Sequence, residues 1–317
     1  MKPSGSVIEG SLVAAFEREV AELVGGRTCV AVDEGRSALA LALSALGVAR
    51  GDEVVVPSYA PVGAADAIRL VGAVPVFADI DPVSYCLDPE AVAVVLSPRT
   101  VAIVAAHQFG HPAAMRELGA LAERHGVALL EYASRAYGAA LDGRLVGTFG
   151  LMAVFGFGVA TQDAVLARRL RGLRTGDAVP AEESAAVARG ELERVAGFTA
   201  RRRANARVFD SALTGVLPPY AAEGTRHVYQ RYVVRVPGNG RPDRDAFAKA
   251  LAARGVDASV PVTTPVHRLP AYRSGAHLPH TERAAAETLS LPVHPMLTER
   301  EVERVVQACN ALGGLMG

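Results

Sequence analysis

The most constraining feature of the sequence is a repeated strand-then-helix order in which the strand segments are apolar without interruption. Gly51-Asp52-Glu53 precedes Val54-Val55-Val56-Pro57, and apolar residues then recur at helical spacing over residues 64–71. The order returns in residues 74–77 and 89–96, in 101–106 and 113–125, and in a further strand at 128–131. A strand with one wet face alternates apolar and polar residues. One that is apolar throughout is covered on both sides, as happens when crossover helices flank a parallel sheet. The pattern predicts an α/β fold with a mostly parallel central sheet flanked by helices. Ahead of it, residues 12–24 read as an amphipathic helix, and Asp33-Glu34-Gly35 opens a buried helix that runs to Leu46.

After Gly172 the rhythm changes. A long charged helical stretch, 182–213, leads to a strand-like segment at 229–236, a Gly238-Asn239-Gly240-Arg241-Pro242 turn, and a helix over 244–254. A proline-rich loop around 261–270 and a last helix over 298–312 follow. We therefore expect a large domain over 1–179 and a smaller C-terminal α+β domain, with its long connecting helix, over 180–317. Lys plus Arg equals Asp plus Glu at 33 each, so no overall field favours nucleic acid or a membrane surface, and a small molecule or another protein is the expected partner. Cys29, Cys86 and Cys309 are far apart and lack metal-ligand spacing, which argues against a disulfide framework or a zinc site and for a reducing, cytoplasmic setting. No stretch is long and apolar enough for a membrane span.

Three segments carry a family resemblance: GDEVVVPSYAPVGAADAIRLVGAVPVFADID, SPRTVAIVAAHQFGHPAAMRELGALAERHGVALLE, and PAYRSG followed by LSLPVHPMLTEREVERVV. Together they resemble the DegT/DnrJ/EryC1/StrS family, the fold-type-I sugar aminotransferases that use pyridoxal phosphate (PLP). The resemblance implies a fold-type-I aminotransferase-like architecture and a dimer with its site near the interface. It also implies a place in deoxysugar, cell-surface glycan or antibiotic pathways.

The family's working residues do not carry over one by one. Its phosphate-cradling Ser-Gly-Thr turn, at a helix N-terminus where backbone N–H groups and the helix dipole favour an anion, falls here on Glu34-Gly35-Arg36. The Glu-Asp-Ala-Ala-Gln segment, whose Asp pairs with the pyridine nitrogen, reads Glu131-Tyr132-Ala133-Ser134-Arg135. The lysine loop, roughly Ser-Phe-His-x-x-Lys, is missing: Phe155-Gly156-Phe157 runs directly into Gly158-Val159-Ala160-Thr161. Only Lys2 and Lys249 remain in the chain, and no His lies between Tyr137 and Arg226 to replace the lysine as in one dehydratase branch. The Gly-Tyr-Asn-x-Arg stretch that crosses to the partner's site is also absent around 175–186.

The resemblance therefore implies a chain without the PLP lysine, and we expect no transaminase activity and no cofactor. Glu131, Tyr132, Arg135 and His107 are the candidate catalytic residues: a carboxylate as general acid or base, an Arg for an anion, and a phenol or imidazole to donate to a carbonyl. Glu34, Arg36 and Tyr59 are candidate ligand-binding residues. The reading keeps two functions open. One is a pocket repurposed for binding, or for cofactor-free isomerisation, dehydration or cyclisation, of a sugar or specialised-metabolite intermediate. The other is an inert subunit that stabilises or regulates a lysine-bearing homologue, so either a homodimer or a heterodimer with a PLP-dependent homologue is expected. An ion pair of Glu34 with Arg36 or Arg135 that merely plugs the pocket stays open beside both.

Overall fold

The computed structural model describes residues 10–33, 35–175, 180–236 and 244–313, with the side chains of 35–37 and 313 left aside. Helix α1 (Leu12–Leu23) is capped by the Ser11 hydroxyl, which accepts the Ala14 N–H at 3.1 Å. It buries Val13, Phe16 and Val20, one helical face. Then come β1 (Thr28–Ala31), α2 (Gly35–Leu46), β2 (Glu53–Pro57), α3 (Gly63–Leu70), β3 (Val74–Ala78) and α4 (Pro89–Val95). The run continues with β4 (Thr100–Ala106), α5 (Met115–His125) and β5 (Ala128–Tyr132). Asp88 caps α4, with Pro89 at the first helical position, where its missing N–H costs nothing. Gly126, at φ 65°, ends α5 in the left-handed conformation.

Two short strands, β6 (Ala140–Leu141) and β7 (Arg144–Leu145), precede the pair β8 (Met152–Phe155) and β9 (Gly158–Thr161). Next are α6 (Ala164–Leu173), α7 (Glu182–Ala212), β10 (Thr225–Arg226) and β11 (Tyr232–Arg235). The described chain closes with α8 (Arg244–Ala252), α9 (Pro279–Glu287), β12 (Thr288–Leu291) and α10 (Glu299–Gly313).

Seven strands form one sheet in the order β1-β9-β8-β5-β4-β2-β3. The pairs from β8 through β5, β4 and β2 to β3 are parallel, and β9 runs antiparallel to both β8 and β1. The covered parallel sheet expected from the apolar runs is therefore present. The small-residue helix α2 lies in the core over β8 and β9, with Leu39 and Leu43 fully buried.

A second core gathers Phe209, Tyr232, Leu251, Leu289 and Cys309 around the antiparallel pair β11–β12. Helix α7 serves both cores: Ala185 and Ala188 pack with Val13 and Phe16 of α1, whereas Ala206 and Phe209 pack in the second. The 229–236 segment is extended only from Tyr232. Tyr229 takes φ 47° and stacks on His227 with ring centroids 4.1 Å apart. The Gly238-Asn239-Gly240-Arg241-Pro242 turn lies outside the described residues.

Candidate active site

The C-terminal ends of β4 and β5 meet the turn that follows β4, and most of the sequence-predicted residues sit there. Glu131, on β5, has no exposed surface. Its Oε1 accepts the N–H groups of Phe149 and Gly150 at 2.7 Å each, and its Oε2 accepts the Gly147 N–H at 2.7 Å. His107 completes the set with Nε2 3.1 Å from Oε2. The His107 Nδ1 accepts the Ala113 N–H at 3.0 Å, and a backbone amide can only donate, so the ring proton is on Nε2 and is given to Glu131. Burial by itself raises the Glu131 pKa. The His107 bond and the N–H groups of Gly150 and Gly147 outweigh it and hold the carboxyl below its ordinary value. This carboxylate is spent on fixing the loop between β7 and β8.

Tyr132 and Arg135 face a different space. Together with Ser134, Gln230 and Arg231 they line a cleft of about 140 Å³ that His107, Gln108 and Phe109 of the turn after β4 also border, His107 through its backbone because its side chain is fully enclosed. Within that turn Phe109 takes φ 55° and meets the rings of Tyr59 and Tyr85 edge-on at 5.9 and 6.0 Å. Gly110, at φ 90°, allows close approach of the strand-side chain: a Cβ there would lie 2.6 Å from the Val228 Cγ2. The segment before β11 is bonded to this turn, Val228 N–H to Gly110 O at 3.1 Å and Arg231 N–H to Phe109 O at 3.3 Å. That pairing carries Gln230 and Arg231 into the cleft.

Tyr59 is not on this cleft's wall. It is wholly buried, with its hydroxyl 2.5 Å from the Thr288 Oγ1, and burial drives its phenol pKa upward. Glu34 and the side chain of Arg36 lie outside the described residues. Sequence reasoning missed Ser134, Gln230 and Arg231 because they come from a turn and from an irregular approach to a strand. The one legible signal was two polar side chains, Gln230-Arg231, beside an otherwise apolar strand.

A second constellation has the form of a nucleophilic triad. The Ser58 Oγ lies 2.6 Å from the His267 Nδ1, and the His267 Nε2 lies 3.3 Å from a Glu282 oxygen. Ser58 and His267 are both completely enclosed, and the Ser58 Oγ also accepts the His267 backbone N–H at 2.9 Å. With no path for a substrate to the hydroxyl, this group works as a clamp that fastens the 265–269 turn to the end of β2.

The place of the family's lysine is closed by the backbone. β8 and β9 form a hairpin in which Phe155 pairs with Gly158, so only Gly156 and Phe157 connect them. Among the described residues the one lysine is Lys249, exposed on α8, and Lys2 lies outside them.

The chain matches the DegT/DnrJ/EryC1/StrS aminotransferase family over residues 1–162 and 181–310. A UDP-N-acetyl-3-dehydro-alpha-D-glucosamine 3-aminotransferase of Acidithiobacillus ferrooxidans is 33% identical over 95% of this chain and 88% of its own length. A dTDP-3-amino-3,4,6-trideoxy-alpha-D-glucose transaminase of Micromonospora megalomicea subsp. nigra is 36% identical over 96% of this chain and 90% of its own. The solved structure of S. venezuelae DesV in complex with a ketimine intermediate superposes with a TM-score of 0.87 at 34% identity, covering 98% of this chain and 91% of that one.

These relatives correct two expectations. A chain without transaminase activity, working without cofactor, is contradicted by relatives that are named aminotransferases and transaminases along nearly their whole length. Their family points to PLP rather than to no cofactor. The described residues nonetheless do not fit a covalently anchored PLP, because the β8–β9 turn holds no lysine and Tyr132 stands where a pyridine nitrogen would need a carboxylate. No step through that group is therefore derived from them. A seven-stranded, mostly parallel sheet, a cleft at the ends of β4 and β5, and a continuous match on both sides of one gap lead to a single conclusion: the chain belongs to the DegT/DnrJ/EryC1/StrS aminotransferase family.

Proposed function

We propose that the chain serves the transfer of an amino group to a keto sugar, and that it does so in a dimer whose second chain supplies the lysine. The observation that carries this reading is the pairing of a retained frame with a missing anchor. The fold, the buried Glu131 network and the cleft at the end of β5 are all built, while the β8–β9 hairpin spans two residues where a lysine would be needed. The substrate class comes from the relatives, which are named for amino sugars carried on UDP or dTDP. In this reading a keto sugar linked to a nucleotide is aminated in the assembly, and the second chain is a lysine-bearing member of the same family.

Co-expression of the chain with such a lysine-bearing relative from its own genome, followed by native mass spectrometry, tests the partnership. A mixed dimer with PLP mass on one subunit is the expected result. Only homodimers of each chain, with this chain carrying PLP by itself, would replace the second-chain lysine by a non-covalently held cofactor.

A further inference from the structure

We infer that Arg135 and Arg231 form an anion-binding subsite that takes the phosphate or carboxylate group of a small ligand, independently of where the lysine of the dimer resides. The two guanidinium groups come from separate parts of the chain, one from the turn after β5 and one from the approach to β11, and both line the cleft of about 140 Å³. No Asp or Glu lines that cleft, and among the described residues neither arginine is paired with a carboxylate. Most other arginines that reach a cleft or a core here have an acidic partner or bond a carbonyl: Arg174 is with Glu17, Arg189 with Glu19, Arg235 with Glu287. The nearest fixed partner of Arg231 is the Ser259 hydroxyl, at the long distance of 3.5 Å.

Two guanidinium groups that line one cleft with no carboxylate on its wall favour an anion there. Burial, and after it the charge of Arg135, holds the Arg231 pKa below its ordinary value. Planar guanidinium groups present paired N–H donors matched to phosphate and carboxylate oxygens, which a solvated lysine pair would not. Ser134, next to Arg135 in the chain, also lines the cleft, and its buried Oγ has no hydrogen-bond partner among the described residues.

The size of the space narrows the ligand. The cleft of about 140 Å³ has room for a phosphoryl or carboxylate head group. Ser134, Arg135 and Gln230 also line an adjoining cleft of about 230 Å³, which Tyr137, Phe157, Glu191 and Arg202 border as well. The remainder of the ligand, a sugar ring or a carbon chain, belongs there. A sugar phosphate and a dicarboxylic acid share the required anionic head, and the experiment separates them.

The test is isothermal titration of the purified full chain, at fixed ionic strength, with inorganic phosphate, glucose 1-phosphate and 2-oxoglutarate in turn. Saturable binding of at least one probe is expected, with Arg135→Ala and Arg231→Ala each weakening it roughly tenfold or more. Arg231→Lys should recover only part of the loss, and Arg116→Ala, which removes an exposed ion pair with Asp142, should leave affinity unchanged. Preference for glucose 1-phosphate identifies the head group as a phosphate ester, and preference for 2-oxoglutarate as a carboxylate. Arg135 is exposed, so its variant should keep the unfolding midpoint of the parent and remain interpretable even if Arg231→Ala does not fold. Absence of saturable binding to all three probes, or equal affinity in parent and both arginine variants, overturns the subsite. Neither result bears on whether a mixed dimer forms or aminates a sugar.

Discussion

The His107 Nε2 and the Glu131 Oε2 are 3.1 Å apart with both side chains wholly enclosed, and every nitrogen and oxygen of the pair is bonded. A residue pair that reads from sequence as an acid and a base is, in the fold, the post that holds the 147–150 loop against β5. Any contribution it makes to chemistry passes through the shape of the neighbouring cleft, which the backbone of His107 borders.

Glu131→Gln replaces an acceptor of four donors by a group that must itself donate. At neutral pH we expect a loss of about 3 kcal/mol in denaturant unfolding. The same carboxyl gives a pH signature. Its folded pKa lies below the ordinary value of 4.5, so its stabilisation is complete above that value and is lost as pH falls through the lower folded pKa. The parent should therefore lose more stability than Glu131→Gln on acidification below about pH 4.5, with the two converging at acid pH. Parallel unfolding curves at every pH would mean that Glu131 is not a charged anchor.

Gly110→Ala forces a side chain into a left-handed backbone position and within 2.6 Å of Val228. A loss of roughly 2–4 kcal/mol in denaturant unfolding is expected from the combination of backbone strain and overpacking. A neutral effect would show that the turn facing the cleft can relax away from the 227–231 segment.

Ser58, despite its triad-like company, should not react with a fluorophosphonate probe in the native protein, as intact-mass spectrometry can read. Ser58→Ala should instead cost stability, about 1–3 kcal/mol, by leaving the His267 ring and backbone N–H without their partner. Stoichiometric labelling at Ser58 would show that the enclosure opens.

The sequence made the sheet legible because its strands are apolar on both faces; Val54 to Val56 and Ala102 to Ala106 are all buried as that rule requires. It also made the missing lysine legible, since Phe155-Gly156-Phe157-Gly158 leaves no residues for a loop, and the hairpin pairing of Phe155 with Gly158 agrees. What it could not show was direction. Glu131, Tyr132 and Arg135 are near neighbours in the chain, yet the pleat of β5 turns the first into the loop network and Tyr132 toward the cleft. Nor could it show that a left-handed Phe109 and a close-packed Gly110 draw Arg231 to the same space as Arg135, because that depends on contacts between residues some hundred positions apart. Two expectations, no transaminase activity and no cofactor, came from counting lost residues in one chain, and the relatives' near-complete coverage corrected them.

The most direct test of the account is a sugar amination assay in which a lysine-bearing relative is held fixed, with glutamate, PLP and a nucleotide-linked keto sugar supplied, while this chain is titrated in. The account predicts that the rate of amino sugar formation rises with added chain and saturates at one copy per lysine-bearing subunit. A rate that does not change with added chain would contradict the account.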